Sequence, residues 1–141
     1  MIDLTRAQAQ AIVAAAFAEA SAQGLAAASV VVTDAGGAIR AAERGDAAGA
    51  FGIDIALAKA RTALGFGRAS IKLAAVFGDK PAVVTGLNAA TGAFLPLGGG
   101  VVIVDGEGRI IGSAGVAGGA PETDDAVASA AVWAAGLATK N

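Results

Sequence analysis

VVIVDGEGRIIGSAGVAG, residues 101–118, is the stretch on which the fold turns. A β-branched run, 101–105, meets a second strand-like run, 109–118, through Gly106-Glu107-Gly108. Three residues allow only a tight reversal, so the two strands must be antiparallel neighbours. Gly112 and Gly115 inside the second run predict a bulge or a close approach of another backbone. An earlier stretch repeats the design. SVVVT, 29–33, runs into the turn signal Asp34-Ala35-Gly36-Gly37 and a second strand over 38–43. Two hairpins dictate an antiparallel sheet.

Outward from the hairpins the spacing becomes helical. Thr5 with Gln8 makes a capping box, and Ile12, Val13, Ala16, Phe17 and Ala20 follow at helical steps. A helix over 6–23 is predicted, ended by Gly24. From Gly52 a second helix runs to Phe66, its apolar stripe formed by Ile53, Leu57, Ala60 and Leu64, with Lys59 and Arg61 off the stripe. Ser70 is expected to cap a short helix over 71–77. Residues 81–97 give no clear period and read as loop with a strand-like Val83-Val84. A terminal helix is predicted over 122–139, with acidic residues in its first turn. Helix, hairpin, helices, hairpin, helix implies an α+β domain with helices on the faces of the sheet. No linker or repeat divides residues 1–141, so one domain is expected.

Composition removes whole classes of chemistry. Of 141 residues, 40 are Ala and 21 are Gly, so much of the apolar content is methyl groups. At this length a folded chain buries roughly 68% of its unfolded surface, enough to stand without a covalent staple. There is no Cys, His or Tyr. Disulfides and thiolate chemistry are excluded, and so are the commonest metal ligand and general base. A net charge of −2 offers no footprint for nucleic acid. The start, MIDLTRAQAQ, lacks the pattern of a signal peptide. The charge-free stretch 81–104 is broken by Pro81, Pro96 and five glycines, so it cannot cross a bilayer as a helix. A cytoplasmic protein without membrane or nucleic-acid partners is expected.

Three places can carry chemistry. Lys59, Arg61 and Thr62 lie on one helix, with Lys59 and Thr62 on a shared edge. A buried lysine is a base or a Schiff-base nucleophile, because desolvation disfavours the ammonium. The plainer alternative is a solvated edge paired with Asp54 or Glu43. Arg44-Gly45-Asp46 follows a strand. Arg44 can hold a carboxylate and Asp46 can orient it or move a proton, or the two form only a surface ion pair. Gly98, Gly99, Gly100 and the run from Gly115 to Gly119 expose backbone N–H groups. The second run precedes a helix N-terminus, where anions are favoured. Glu122, Asp124 and Asp125 crowd that turn, so capping of the helix by Asp124 or Thr123 is the preferred reading. Trp133 on the last helix reads as a packing anchor.

Taken in order, VVVTDAGGAIRAAERGDA, DIALAKARTA, LPLGGGVVIVDGEGRIIGSAGVAGG and DDAVASAA resemble the GlcG/HbpS family, which includes the C-terminal domain of PduO proteins. The resemblance spans about residues 3–137. It implies a profilin-like α/β/α domain and a homo-oligomer as large as an octamer. It also implies haem or iron as a ligand in several relatives, some of which sit in operons for glycolate or diol metabolism. This chain departs from the family at Gly45, at Gly98-Gly99-Gly100-Val101, which lacks a proline, and at Ala117, where a hydroxyl is lost. Without His, Tyr or Cys it also lacks a conventional axial haem ligand, so weak or no haem binding is expected. The reading that follows is a small-ligand-binding oligomer. Its pocket would lie between the 98–101 loop, the strand 109–118 and the helix of Lys59, with Arg44, Arg61, Thr62, Gly98, Gly99, Gly100 and Gly115 around the ligand. The alternatives are an enzyme of isomerase or lyase type and a purely structural module. In the enzyme, Arg44 or Arg61 would hold a small oxo- or hydroxy-carboxylic acid, and Lys59 or Asp46 would move the proton. Lys59 and Gly99 must border one hollow for either functional reading.

Overall fold

The computed structural model describes residues 3–141, so Met1, the chain's only methionine, lies outside the described residues. In chain order the elements are α1 (Arg6–Ala22), β1 (Ser29–Asp34), β2 (Ile39–Arg44), α2 (Gly52–Phe66), α3 (Ser70–Phe77), α4 (Pro81–Thr91), β3 (Gly100–Val104), β4 (Ile110–Ala117), α5 (Pro121–Ala134) and β5 (Ala138–Lys140). The five strands are ordered β2-β1-β4-β3-β5, and every pairing is antiparallel. Both predicted hairpins are present. In the second, Ile103 pairs with Gly112 and Val104 with Ile110, leaving one extra residue on β4. This is the bulge that Gly112 signals.

Strand alternation divides the core between two layers. Val30, Val32, Val101, Ile103 and Val116 pack with buried residues of α1 and α5. On the opposite face Val31 and Ala117 meet Ala56 of α2, while Val102 and Val104 meet Ala63. The central strands are thus covered on both sides, which is why SVVVT and VVIV read as continuous apolar runs. Thr5 and Gln8 form the reciprocal capping box at the start of α1.

Four expectations need correction. Residues 81–91 are helical. Pro81 sits at the first helical turn and Gly92, at φ 73°, ends the helix in the left-handed conformation. No residue of α4 is buried, so no apolar period marked it. The last helix stops at Ala134. Gly136, at φ 82°, turns the chain, and Ala138–Lys140 then cover the edge of β3. Ser70 is the first residue of α3 rather than its cap, and its hydroxyl is used by the segment before β3. Trp133 is 59% exposed and donates from Nε1 to Thr139 Oγ1, so it latches β5 rather than anchoring the core. Among the described residues no helix is long and apolar enough to cross a membrane.

Candidate functional site

Helix α2 lies against the sheet at glycines. A Cβ on Gly115 would overlap the Ala56 carbonyl, and one on Gly100 would overlap the carbonyl of Lys59. Small residues on the sheet let a helix approach closely enough that its inward stripe is also small. That stripe is Ala56, Lys59, Ala60 and Ala63, all buried. Lys59 therefore faces inward, contrary to its predicted place off the stripe, and is only 2% exposed.

The Lys59 side chain crosses the end of the sheet. Its Cδ lies 2.9 Å from the point where a Gly99 Cβ would stand, and a Cβ there would also meet the Val116 carbonyl. Gly99 has φ 131°, a conformation that favours glycine. Past this gap Lys59 Nζ donates to Val116 O at 3.1 Å and to Asp124 Oδ2 at 2.9 Å. Asp124 is fully buried in the first turn of α5, in the other helical layer. Its second oxygen, Oδ1, accepts from Gly119 N at 2.9 Å. Both carboxylate oxygens are thus engaged. An ammonium has three N–H donors, so one of Lys59's remains without an acceptor among the described residues.

Lys59 and Asp124 border an open hollow of about 400 Å³. Phe51, Ile55 and Leu97 supply apolar walls, and Phe51 is 74% exposed. Backbone comes from Gly49 to Gly52, at the start of α2, and from Gly118-Gly119, just before α5. The N-terminus of α2 therefore opens on this space, where its dipole favours negative charge, while α5 contributes only Asp124.

The other predicted residues fall elsewhere. Lys59 and Gly99 are in contact but do not border one hollow as expected: Gly98, Gly99, Gly100 and Gly115 are buried against neighbouring groups, act as spacers and lie outside the lining of the hollow beside Lys59. Gly98 packs against the Pro121 carbonyl. Arg44 and Asp46 border a separate hollow of about 590 Å³ beside Phe17 of α1. Neither makes a salt bridge among the described residues, so the surface ion pair considered for them is not formed. Arg61 and Thr62 border a third hollow, of about 540 Å³, with Phe66 and Phe94. Arg61 Nε donates to Gly37 O, holding the β1–β2 turn. Thr62 Oγ1 donates to Ala93 O and accepts from Leu95 N, each at 2.8 Å, so it pins the segment after α4. The lysine's partner is neither Asp54 nor Glu43. Asp124 was legible only as a capping residue. That capping reading fails for Asp124 and for Thr123, since Ala120 is the N-cap of α5 and no side chain caps the helix. Asp124 instead holds the turn before α5 through Gly119 N, and its pairing with Lys59 spans 65 positions and has no local signal.

An antiparallel sheet between helical layers, tied through its glycine-lined end by a buried ion pair, defines a small α+β domain with a hollow at the sheet's end. The model of a family described as "Haem degrading protein HbpS-like" matches residues 4–133, and the chain belongs to that family. Among solved structures, a haem complex of PduOC aligns with a TM-score of 0.86 and 26% identity, covering 99% of this chain and 100% of that one. HbpS aligns at 0.82 and 30% identity, covering 94% and 90%. The Klebsiella pneumoniae protein ORFY aligns at 0.85 and 27%, covering 96% and 93%. No curated protein matched the chain.

Haem itself does not fit the residues present. There is no His, Cys or Tyr to hold the iron, and Met1 lies outside the described residues. The one nitrogen base in the hollow, Lys59 Nζ, is engaged by Asp124 and Val116. No group of three potential metal ligands occurs among the described residues.

Proposed function

We propose that this chain binds a small carboxylic acid with a second oxygen acceptor, in the hollow floored by Lys59 and Asp124. The observation that carries this reading is the buried, open-sided ion pair with one ammonium N–H unclaimed. A keto or hydroxyl oxygen accepts that N–H. The carboxylate faces the N-terminus of α2, and a short alkyl body lies on Phe51 and Ile55. Asp124 does not repel it strongly, because its charge is matched by Lys59 at 2.9 Å.

Isothermal titration with 2-oxobutyrate and 2-hydroxybutyrate, against butyramide as control, tests the reading. Both acids are expected to bind, and Lys59→Met to weaken them by about tenfold or more, the worth of a charge-assisted hydrogen bond. Equal binding by the Met variant, or no binding by the parent, overturns it. Haem binding is proposed to be weak or absent, and a Soret titration that saturates as a tight complex would refute that.

A homo-oligomer is part of the same proposal. The family resemblance supports it, and so does α4, which carries no charge and buries none of its residues in the single chain. A cytoplasmic setting is proposed on the sequence grounds given above. The enzyme reading draws support from the Lys59–Asp124 pair. Arg44, Asp46 and Arg61 lie in other hollows, so Lys59 would move the proton and the N-terminus of α2 would hold the acid.

A further inference from the structure

We infer that Lys59 is a covalent nucleophile that forms a Schiff base with a small 2-oxo acid, and that Asp124 carries the proton for that step. The inference rests on the hollow being the ligand site and goes beyond binding. Lys59 combines features that are separate on the chain's other lysines. It is buried among apolar groups, it borders an open hollow, and its Nζ stands 2.9 Å from a buried carboxylate. Lys72, Lys80 and Lys140 are all exposed.

Lys59 Nζ and Asp124 Oδ2 already share a hydrogen bond of 2.9 Å, so a proton acceptor stands in place beside the reacting nitrogen. The proton passes from Nζ to Asp124 Oδ2 along the existing hydrogen bond. The freed lone pair attacks the keto carbon, forming a C–N bond while the C=O π pair moves to oxygen. A proton shifts from nitrogen to that oxygen and gives a carbinolamine. Asp124 returns its proton to the hydroxyl, which leaves as water, and C=N forms. The ammonium, with three N–H protons, becomes an iminium with one, and the other two leave in the water. The iminium inherits the positive charge and its ion pair with Asp124, so the buried charge balance is the same before and after. Asp124 Oδ1 stays on Gly119 N throughout, which keeps Oδ2 aimed at the reacting nitrogen. Exposed Lys80 also meets a carboxylate, Asp79 at 3.2 Å, but that partner is itself in solvent and not held by a second bond as Asp124 is.

The test uses the intact chain with 2-oxobutyrate and cyanoborohydride, which reduces an iminium to a stable secondary amine. Peptide mass mapping then reads adducts at each of the four lysines. Lys59 is expected to carry the adduct at least about tenfold above Lys72, Lys80 and Lys140. Asp124→Asn is expected to slow trapping at Lys59 by about a hundredfold, the usual worth of a positioned proton carrier, and to leave the exposed lysines unchanged. Lys59→Arg is expected to lose the dominant adduct. Labelling that follows exposure, with Lys59 no higher than the others, overturns the inference. The map of the parent chain decides this even if a variant fails to fold. A chain that binds 2-hydroxybutyrate but gives no Lys59 adduct keeps the binding reading and loses the covalent one. A chain that binds neither acid loses both.

Discussion

Lys59 and Asp124 meet at 2.9 Å from opposite helical layers, and neither side chain is more than 3% exposed. The ion pair is the polar tie between α2 and α5, which otherwise pack on different faces of the sheet. A buried pair of this kind is costly to break, because the orphaned charge stays in the interior. Asp124→Ala is expected to lower stability by about 3–5 kcal/mol. The double variant Lys59→Met, Asp124→Leu is expected to recover most of the loss. Urea unfolding of the single and double variants measures the coupling. Additive losses would mean that the two charges do not depend on one another.

The spacer glycines give a second expectation. Gly100→Ala and Gly115→Ala each place a methyl group on a backbone carbonyl of α2, which cannot swing aside as a side chain can. Each is expected to cost about 1–3 kcal/mol or more. Gly106→Ala, with nothing within 4 Å of its Cβ position, is the control and should be close to neutral. Thermal unfolding of the three variants compares them directly.

Ser29 is fully buried, and its Oγ has no hydrogen-bond partner among the described residues. A buried hydroxyl left unpaired destabilises the native state. Ser29→Ala is expected to raise stability by about 1 kcal/mol. A loss of stability on that substitution would show that the hydroxyl is satisfied in solution.

Burial raises Asp125 above the ordinary carboxylate range, and the charge of Lys72 opposes the shift only in part. The native state therefore keeps this proton at pH values where the unfolded chain has released it. From the ordinary carboxylate value upward, stability falls as pH climbs through the raised value, then levels off. Asp125→Asn is expected to remove that slope and to be the more stable protein at neutral pH. Urea midpoints measured from pH 4 upward, about the ordinary Asp value, check the sign.

Helix α4 offers a fifth test. Val83 is 44% exposed, so Val83→Lys is expected to change the stability of a single chain by less than about 0.5 kcal/mol. If α4 lies between subunits, the same substitution lowers the oligomeric mass seen by light scattering. An unchanged mass would remove α4 from the proposed interface.

The architecture was legible because its signals are local. Two hairpins announce themselves by β-branched runs around short glycine turns, and α1 by Thr5 and Gln8. The α4 helix was hidden because a helix that buries nothing has no apolar period. Its only marks were Pro81 at the start and Gly92 at the end. The site was legible in part. Lys59 and Gly99 touch, but only Lys59 borders the hollow, and the glycines serve the packing of α2 and of the lysine stem rather than a ligand. Asp124 looked like one of three acidic residues around a helix start. Nothing in its neighbourhood betrays a partner in another layer, since the gap through which Lys59 reaches it exists only once β3 and β4 have paired.

That separation has a bearing on how the protein is made. On the ribosome Lys59 emerges long before Asp124, with 65 positions between them. Until α5 is released, Lys59 has no Asp124 to pair with, and the floor of the hollow does not yet exist. Completion of the hollow is thereby tied to completion of translation, and a product that ends before α5 lacks the ion pair altogether.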